Sequence, residues 1–139
     1  MALSPAEREE FLAEPHIGAL AVHAGDGRGP LMVPIWYEYS PGGDLWVVTP
    51  AESRKAALIA QAGRFSLLVE RTSPTVRYVT VEGPVSQNRP ATEAEHEHMA
   101  RRYLGDGADD YLTMAAGFGD VAYIAMTPQR WTSADMGGF

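Results

Sequence analysis

Trp46-Val47-Val48-Thr49-Pro50-Ala51-Glu52-Ser53-Arg54-Lys55-Ala56 is the stretch around which the chain is organised. The apolar run at 45–49 reads as a buried strand that stops at a threonine. A short loop then brings Ser53, Arg54 and Lys55 to the start of a segment, residues 53–61, that reads as a helix. The first N–H groups of a helix lack internal partners and carry the positive end of its dipole. A hydroxyl and two cations placed there make a natural anion site: arginine grips two phosphate oxygens at once and lysine adds a point charge. The same residues also suit an ordinary solvated helix with basic side chains, and the motif alone leaves both readings open. The helix start is ambiguous as well, since Thr49-Pro50-Ala51-Glu52 could itself be a capping box.

Working outward from this stretch, residues 31–39 read as one strand, with Leu31, Val33, Ile35, Tyr37 and Tyr39 on one face. The other face carries Met32, Pro34, Trp36 and Glu38 and is not simply wet. Pro34 cannot donate to a ladder, which suggests an edge or a distorted stretch. Upstream, Ser4-Pro5-Ala6-Glu7 is a capping box with proline at the first helical position, opening a helix to about Glu14. Residues 17–24 read as a strand, and Gly25-Asp26-Gly27-Arg28-Gly29 as the turn of a hairpin. A nucleotide-binding loop would need a helix after its glycines, and no helical pattern follows.

Downstream, Ala62-Gly63 stops the second helix, and Phe65, Leu67 and Val69 alternate with polar residues as in a half-buried strand. Residues 76–87 form a long strand, with Gly83-Pro84 implying a bulge or bend. Thr92-Glu93-Ala94-Glu95 is another capping box, starting a helix to about Leu104. Residues 109–116 suggest a short helix, and 121–127 read as the last strand. Residues 129–139 have no periodicity, although Trp131 suggests that this tail packs against something. His96 and His98, two apart on one helix, do not share a face. They read as solvated residues, and no metal site is expected.

The totals narrow the class. The chain has 139 residues, 45% hydrophobic and 21% charged, as befits one domain over residues 1–139. A net charge of −7 argues against non-specific binding to nucleic acid or anionic membranes. An anionic ligand would therefore need a local basic spot such as Arg54 and Lys55. With no cysteine, disulfides, thiolate metal sites and cysteine nucleophiles are excluded. No apolar run approaches a membrane span, and acids stand where a signal peptide needs a basic and then an apolar run, so the expected location is cytoplasmic. Six short, mostly antiparallel strands with three to four helices predict a β-rich α+β domain, closed as a barrel.

In element order nearly the whole chain resembles the pyridoxamine 5′-phosphate oxidase-like proteins, the flavin- and deazaflavin-binding split barrels. The Thr49…Ser53-Arg54-Lys55 block and the Arg77-Tyr78-Val79-Thr80-Val81-Glu82-Gly83 strand carry the resemblance, with the opening Phe11-Leu12-Ala13-Glu14-Pro15-His16. It implies a split β-barrel homodimer with cofactor sites at the subunit interface. Thr49, Ser53, Arg54 and Lys55 would hold a cofactor phosphate, and the ring would lie along Met32, Val33, Pro34, Ile35 and Trp36. Tyr78 and Trp131 are further candidates, Trp131 from its own chain or from the partner chain. True pyridoxamine phosphate oxidases have basic residues where this chain has Leu31 and Trp36, a glutamine in place of Tyr78, and a C-terminal Trp-to-Arg segment that is lacking here. Vitamin B6 oxidation is therefore not expected.

The compact form looks more like the branch that uses the deazaflavin F420, whose relatives also include FMN-binding, haem-degrading and biliverdin-reducing proteins. The expectation is an oxidoreductase that uses F420 or FMN to move hydride to or from a small organic substrate. A flavin, haem or tetrapyrrole carrier without turnover is the alternative. No catalytic residue is assigned.

Overall fold

The computed structural model describes residues 1–139. The elements in order are α1 (Pro5–Ala13), β1 (Gly18–Val22), β2 (Leu31–Ile35), β3 (Tyr37–Tyr39), β4 (Leu45–Pro50), α2 (Arg54–Ala62), β5 (Arg64–Arg71), β6 (Arg77–Pro90), α3 (Glu93–Leu104), a 3-10 turn (Gly105–Gly107), α4 (Ala108–Ala115), β7 (Val121–Met126) and β8 (Arg130–Asp135). The strands form one antiparallel sheet in the order β2-β1-β5-β6-β7-β4-β3, with β8 added beside β6.

That order fixes the shape. β2 and β3 stand at opposite ends of the sheet, yet only Trp36 separates them in the chain. One residue spans at most about 3.6 Å, so the sheet must curl until its two ends meet. The result is the expected split barrel. Its interior is filled by alternate residues of the strands, among them Leu20, Tyr37, Val47, Leu67, Val81 and Ile124, with Phe11 and Leu12 from α1 and Ile59 from α2.

Residues 31–39 are thus two strands rather than the single one read from alternation. The core-facing set is as expected: Ile35, Tyr37 and Tyr39 are buried and Leu31 and Val33 half-buried. The break arises because the halves have different partners, β1 for the first and β4 for the second. At the junction, α3 side chains take the backbone bonds that a ladder would have made. The Tyr37 N–H donates to Tyr103 Oη (3.2 Å), and Arg102 Nε donates to the Tyr37 carbonyl (2.9 Å). Pro34 lies, as anticipated, on an edge strand.

The local signals elsewhere hold. Ser4 and Thr92 each close a reciprocal capping box. Gly63, at φ 73°, ends α2 in the left-handed region that favours glycine. The hairpin reading of residues 25–29 is confirmed by the β1–β2 pairing. The expected bend in the long strand appears as a register shift between Val85 and Gln87, where β6 leaves β5 and pairs with β7.

The aperiodic tail is a correction: residues 130–135 form β8, an eighth strand. Main-chain pairing with β6, from Arg77↔Asp135 to Glu82↔Arg130, holds it there rather than alternating burial. Asp135 pins its end, accepting from Thr75 Oγ1 (2.7 Å), the Gly137 N–H (2.9 Å) and Arg77 Nε (2.9 Å).

Two predictions follow from this packing. A Cβ on Gly83 would lie 1.8 Å from the Thr127 carbonyl oxygen, a backbone atom that cannot swing aside. Gly83→Ala should therefore cost at least about 1–3 kcal/mol of stability, the range for overpacking. Gly29→Ala, whose Cβ would meet nothing within 4 Å, should be near neutral; urea unfolding of both variants checks this.

The second concerns acid. The Thr75 hydroxyl first, then the Gly137 N–H and Arg77, hold the Asp135 carboxyl down to about 2. A carboxylate whose folded pKa is depressed adds stability above its unfolded value, about 3.9, and loses it as pH falls towards the folded one. The melting temperature should fall less steeply between pH 4 and 2 in Asp135→Asn than in the unaltered protein. Equal slopes in the two proteins would show that Asp135 contributes no such linkage.

Candidate functional site

The strand-to-helix segment that follows the Trp46-Val47-Val48 run folds as its chemistry suggests. Ser53, not Thr49, is the N-cap of α2; its Oγ accepts from the Ala56 N–H (3.2 Å), which leaves the hydroxyl proton free to donate. Arg54 and Lys55 occupy the first turn, which holds no acid, and Glu52 lies outside the helix. Neither cation is within ion-pair distance of a carboxylate. Arg71 and Arg77, by contrast, meet Asp135, Arg89 meets Glu95, and Arg102 meets Glu38.

Thr49 is the last buried residue of β4, on its core-facing side. It is 2% exposed, and its Oγ1 has no hydrogen-bond partner within the chain. Burying a hydroxyl unpaired costs on the order of 1–3 kcal/mol. A buried hydroxyl without a partner near a helix start is free to bond a ligand oxygen.

A cleft of about 370 Å³ joins this corner to the sheet junction. Pro34, Ile35 and Trp36 form one wall, Val48, Thr49 and Pro50 another, with Ile17, Lys55 and Tyr111 completing it. This volume lies within the usual range for small-molecule sites. One end is polar, with Thr49 and Lys55. The other is aromatic: Trp36 stacks on Tyr103 (5.1 Å, 6° between planes) and leans on Tyr111 (5.3 Å, 53°). Tyr103 is itself fixed, since Tyr103 Oη donates to the His16 carbonyl (2.7 Å). A larger groove of about 590 Å³ runs between α2 and the β6–β7 pair, but it is lined largely by alanines, and its Arg89 is already engaged with Glu95.

The structure therefore brings Pro34, Ile35, Trp36, Thr49 and Lys55 into one cleft. Ser53 and Arg54 stand at the adjoining helix start rather than in its lining. Val33 packs its side chain on the core, while Met32 points outwards, 63% exposed. Tyr78 lies on β6 opposite Glu70 and Ala134, away from the cleft. Trp131 is also elsewhere in the same chain: it packs edge-on to Tyr39 (6.0 Å), under the Arg8 guanidinium (4.7 Å).

Sequence reasoning missed Ile17, Val48, Pro50 and Tyr111. Tyr111 had no signal, because only the return of α4 over the junction places it there. No three His, Asp or Glu side chains are arranged to hold a metal ion. His98 instead bonds Glu38 (2.6 Å), and His96 meets the Tyr111 ring edge-on.

The open edge of β2 adds backbone groups. β2 pairs only with β1, and a proline in a sheet keeps its nitrogen on the unpaired side. Alternate residues turn their polar groups to the same edge. The Met32 N–H and the carbonyls of Met32 and Pro34 consequently face outwards, while Pro34 supplies no donor. The corner as a whole suits a molecule with a phosphate at one end and a planar ring at the other. The polar end has an unpartnered buried hydroxyl, an unpaired lysine and the Ser53-capped start of α2; the other end has an aromatic wall of Trp36 and Tyr111.

Comparison with known proteins agrees with this fold. The structure is similar to that of a conserved hypothetical protein from Mycobacterium tuberculosis, with a TM-score of 0.74 and 27% identity over 97% of this chain and 86% of that one. A protein named F420 reductase shares the fold at a TM-score of 0.71 and 23% identity, covering 89% of this chain and 94% of that one. An FAD-binding protein from Mesorhizobium loti does so at 0.64 and 18%, covering 97% and 95%. A search of curated proteins gives no significant match. The profile of the pyridoxamine 5′-phosphate oxidase family matches residues 4–134, nearly the entire chain, and the protein belongs to that family of split barrels.

Proposed function

We propose that this protein is a cytoplasmic, homodimeric oxidoreductase that uses F420 or FMN to transfer hydride to or from a small organic substrate. The observation that carries the reading is the cleft itself: Thr49 Oγ1 lies buried without a partner beside the unpaired Lys55, within reach of an aromatic wall built on the β2–β3 junction. The family and the F420- and FAD-named neighbours support a flavin-type ligand. When bound, the ring supplies the hydride chemistry. The chain's part is to hold and shield it. Lys55, Arg54 and the hydroxyls of Thr49 and Ser53 bind the phosphate, while the outward backbone groups of Met32 and Pro34 meet the ring's polar edge.

Within one chain the cleft is open along β2, and two apolar side chains beside it are exposed, Ile17 at 58% and Met32 at 63%. A second subunit laid against this edge would cover them and close the site. Trp131 of that subunit is a candidate for the added wall. Sedimentation at micromolar concentration should show a dimer, and Met32→Glu should shift it towards monomer. A monomeric unaltered protein would remove the shared site from the proposal.

Side-by-side calorimetry with FMN and F420 tests the cofactor. A hydrogen bond to a charged group is worth roughly 1.5–3 kcal/mol, so Lys55→Ala and Arg54→Ala should each weaken binding by about ten- to a hundredfold. The losses should be smaller for a cofactor fragment without phosphate, and both variants should stay folded. Unchanged affinity in both would mean that the two cations are only a solvated helix face. Reduction of the bound cofactor coupled to product formation separates an enzyme from a carrier.

A further inference from the structure

We infer that Tyr111 is the hydrogen-bond donor that the chain presents to the ring end of a ligand in this cleft, and that α4 exists in this position to carry it. The inference rests on the cofactor reading above and goes beyond it, since nothing in the strand-and-helix corner that holds the phosphate involves α4. Among the residues lining the cleft only Lys55 and Tyr111 carry a proton that can titrate. Lys55 sits at the start of α2, at the phosphate end. Tyr111 is left as the one such group beside Trp36.

Three observations point the same way. The Tyr111 ring leans on Trp36 at 5.3 Å, so its place beside the aromatic wall is set by packing. The His96 ring meets it edge-on from α3 at 5.9 Å and 90°, which fixes the phenol from its other side. Its hydroxyl, like those of Tyr78 and Tyr123 and unlike those of Tyr37, Tyr39 and Tyr103, has no partner in the chain, and of the three Tyr111 alone lines the cleft. Tyr37 and Tyr103 donate to carbonyls, and Tyr39 to Glu9. Burial alone raises the Tyr111 pKa, with no hydrogen bond contributing, so the phenol keeps its proton throughout the neutral range. A phenol held by two aromatic contacts, with a solvent-accessible hydroxyl that makes no bond within the chain, is free to donate to a ligand acceptor in the cleft. A carbonyl oxygen or a ring nitrogen is the acceptor chemistry it fits.

The test uses the full chain with FMN and F420 as probes. Calorimetry is run on the unaltered protein, Tyr111→Phe, Lys55→Ala and the double variant, and thermal melting of each without ligand checks the fold. Tyr111→Phe keeps the ring and its packing and should melt as the unaltered protein does. A neutral hydrogen bond lost is worth about two- to twelvefold in affinity, and Tyr111→Phe should lose that much for at least one cofactor. The loss should multiply with that of Lys55→Ala, because the two groups serve opposite ends of the ligand. The midpoint potential of the bound ring should also fall in Tyr111→Phe, since a donor to the ring favours the reduced, more electron-rich form. Weaker binding without any change in potential would mean that the hydroxyl does not touch the ring, and would overturn the assignment. So would wild-type affinity in Tyr111→Phe together with weakened binding in Lys55→Ala, and that outcome leaves the cofactor reading standing. Failure of the unaltered protein to bind either probe would overturn the cofactor reading itself and this inference with it.

Discussion

A one-residue connection sets the architecture: Ile35 and Tyr37 belong to strands at opposite ends of the sheet, and Trp36 is all that lies between them. Covalent continuity closes the barrel there, without a ladder of hydrogen bonds across the gap. The cost of that gap is a set of backbone groups with no strand partner. α3 answers it from outside, through Arg102 and Tyr103, and Arg102 is in turn held by Glu38 at 3.1 Å. The same gap is where the cleft opens. Closure and cavity therefore have a single origin, and the aromatic wall is the packing that stiffens the joint.

The distribution of charge complements this geometry. In a chain of net charge −7, most of the arginines packed against the fold are tied to carboxylates. Arg54 and Lys55 are not, and they sit where the α2 dipole adds to their field. In a chain with a net negative charge, a local positive spot beside an unsatisfied hydroxyl favours an anion there.

Most of the barrel was legible because its signals are local. Capping boxes at Ser4 and Thr92, the glycine stop at Gly63 and the alternation of Phe65, Leu67 and Val69 each act within a few residues. What could not be read was set by distant partners. Residues 31–39 alternate without interruption, and nothing in them says that the two halves pair with different strands. β8 has no alternation because its main-chain pairing with β6 does the holding. The site divides in the same way. Thr49 and Lys55 were visible as a motif, whereas Tyr111 reaches the cleft only through the return of a later helix, and within one chain Trp131 lies apart from it, against Tyr39 and Arg8.

The junction at Trp36 also orders events in time. β1 with β2, and β3 with β4, are two hairpins in direct succession, and contacts so near in sequence form within microseconds. The seams that turn them into a barrel, β1 against β5 and β4 against β7, join distant parts of the chain and are correspondingly slow. Tyr103 and Tyr111, which pack on the indole, belong to neither hairpin and stand on helices between the longest strand and β7. The two hairpins alone therefore leave the Trp36 indole without its aromatic neighbours, and its order depends on α3 and α4 docking at the joint.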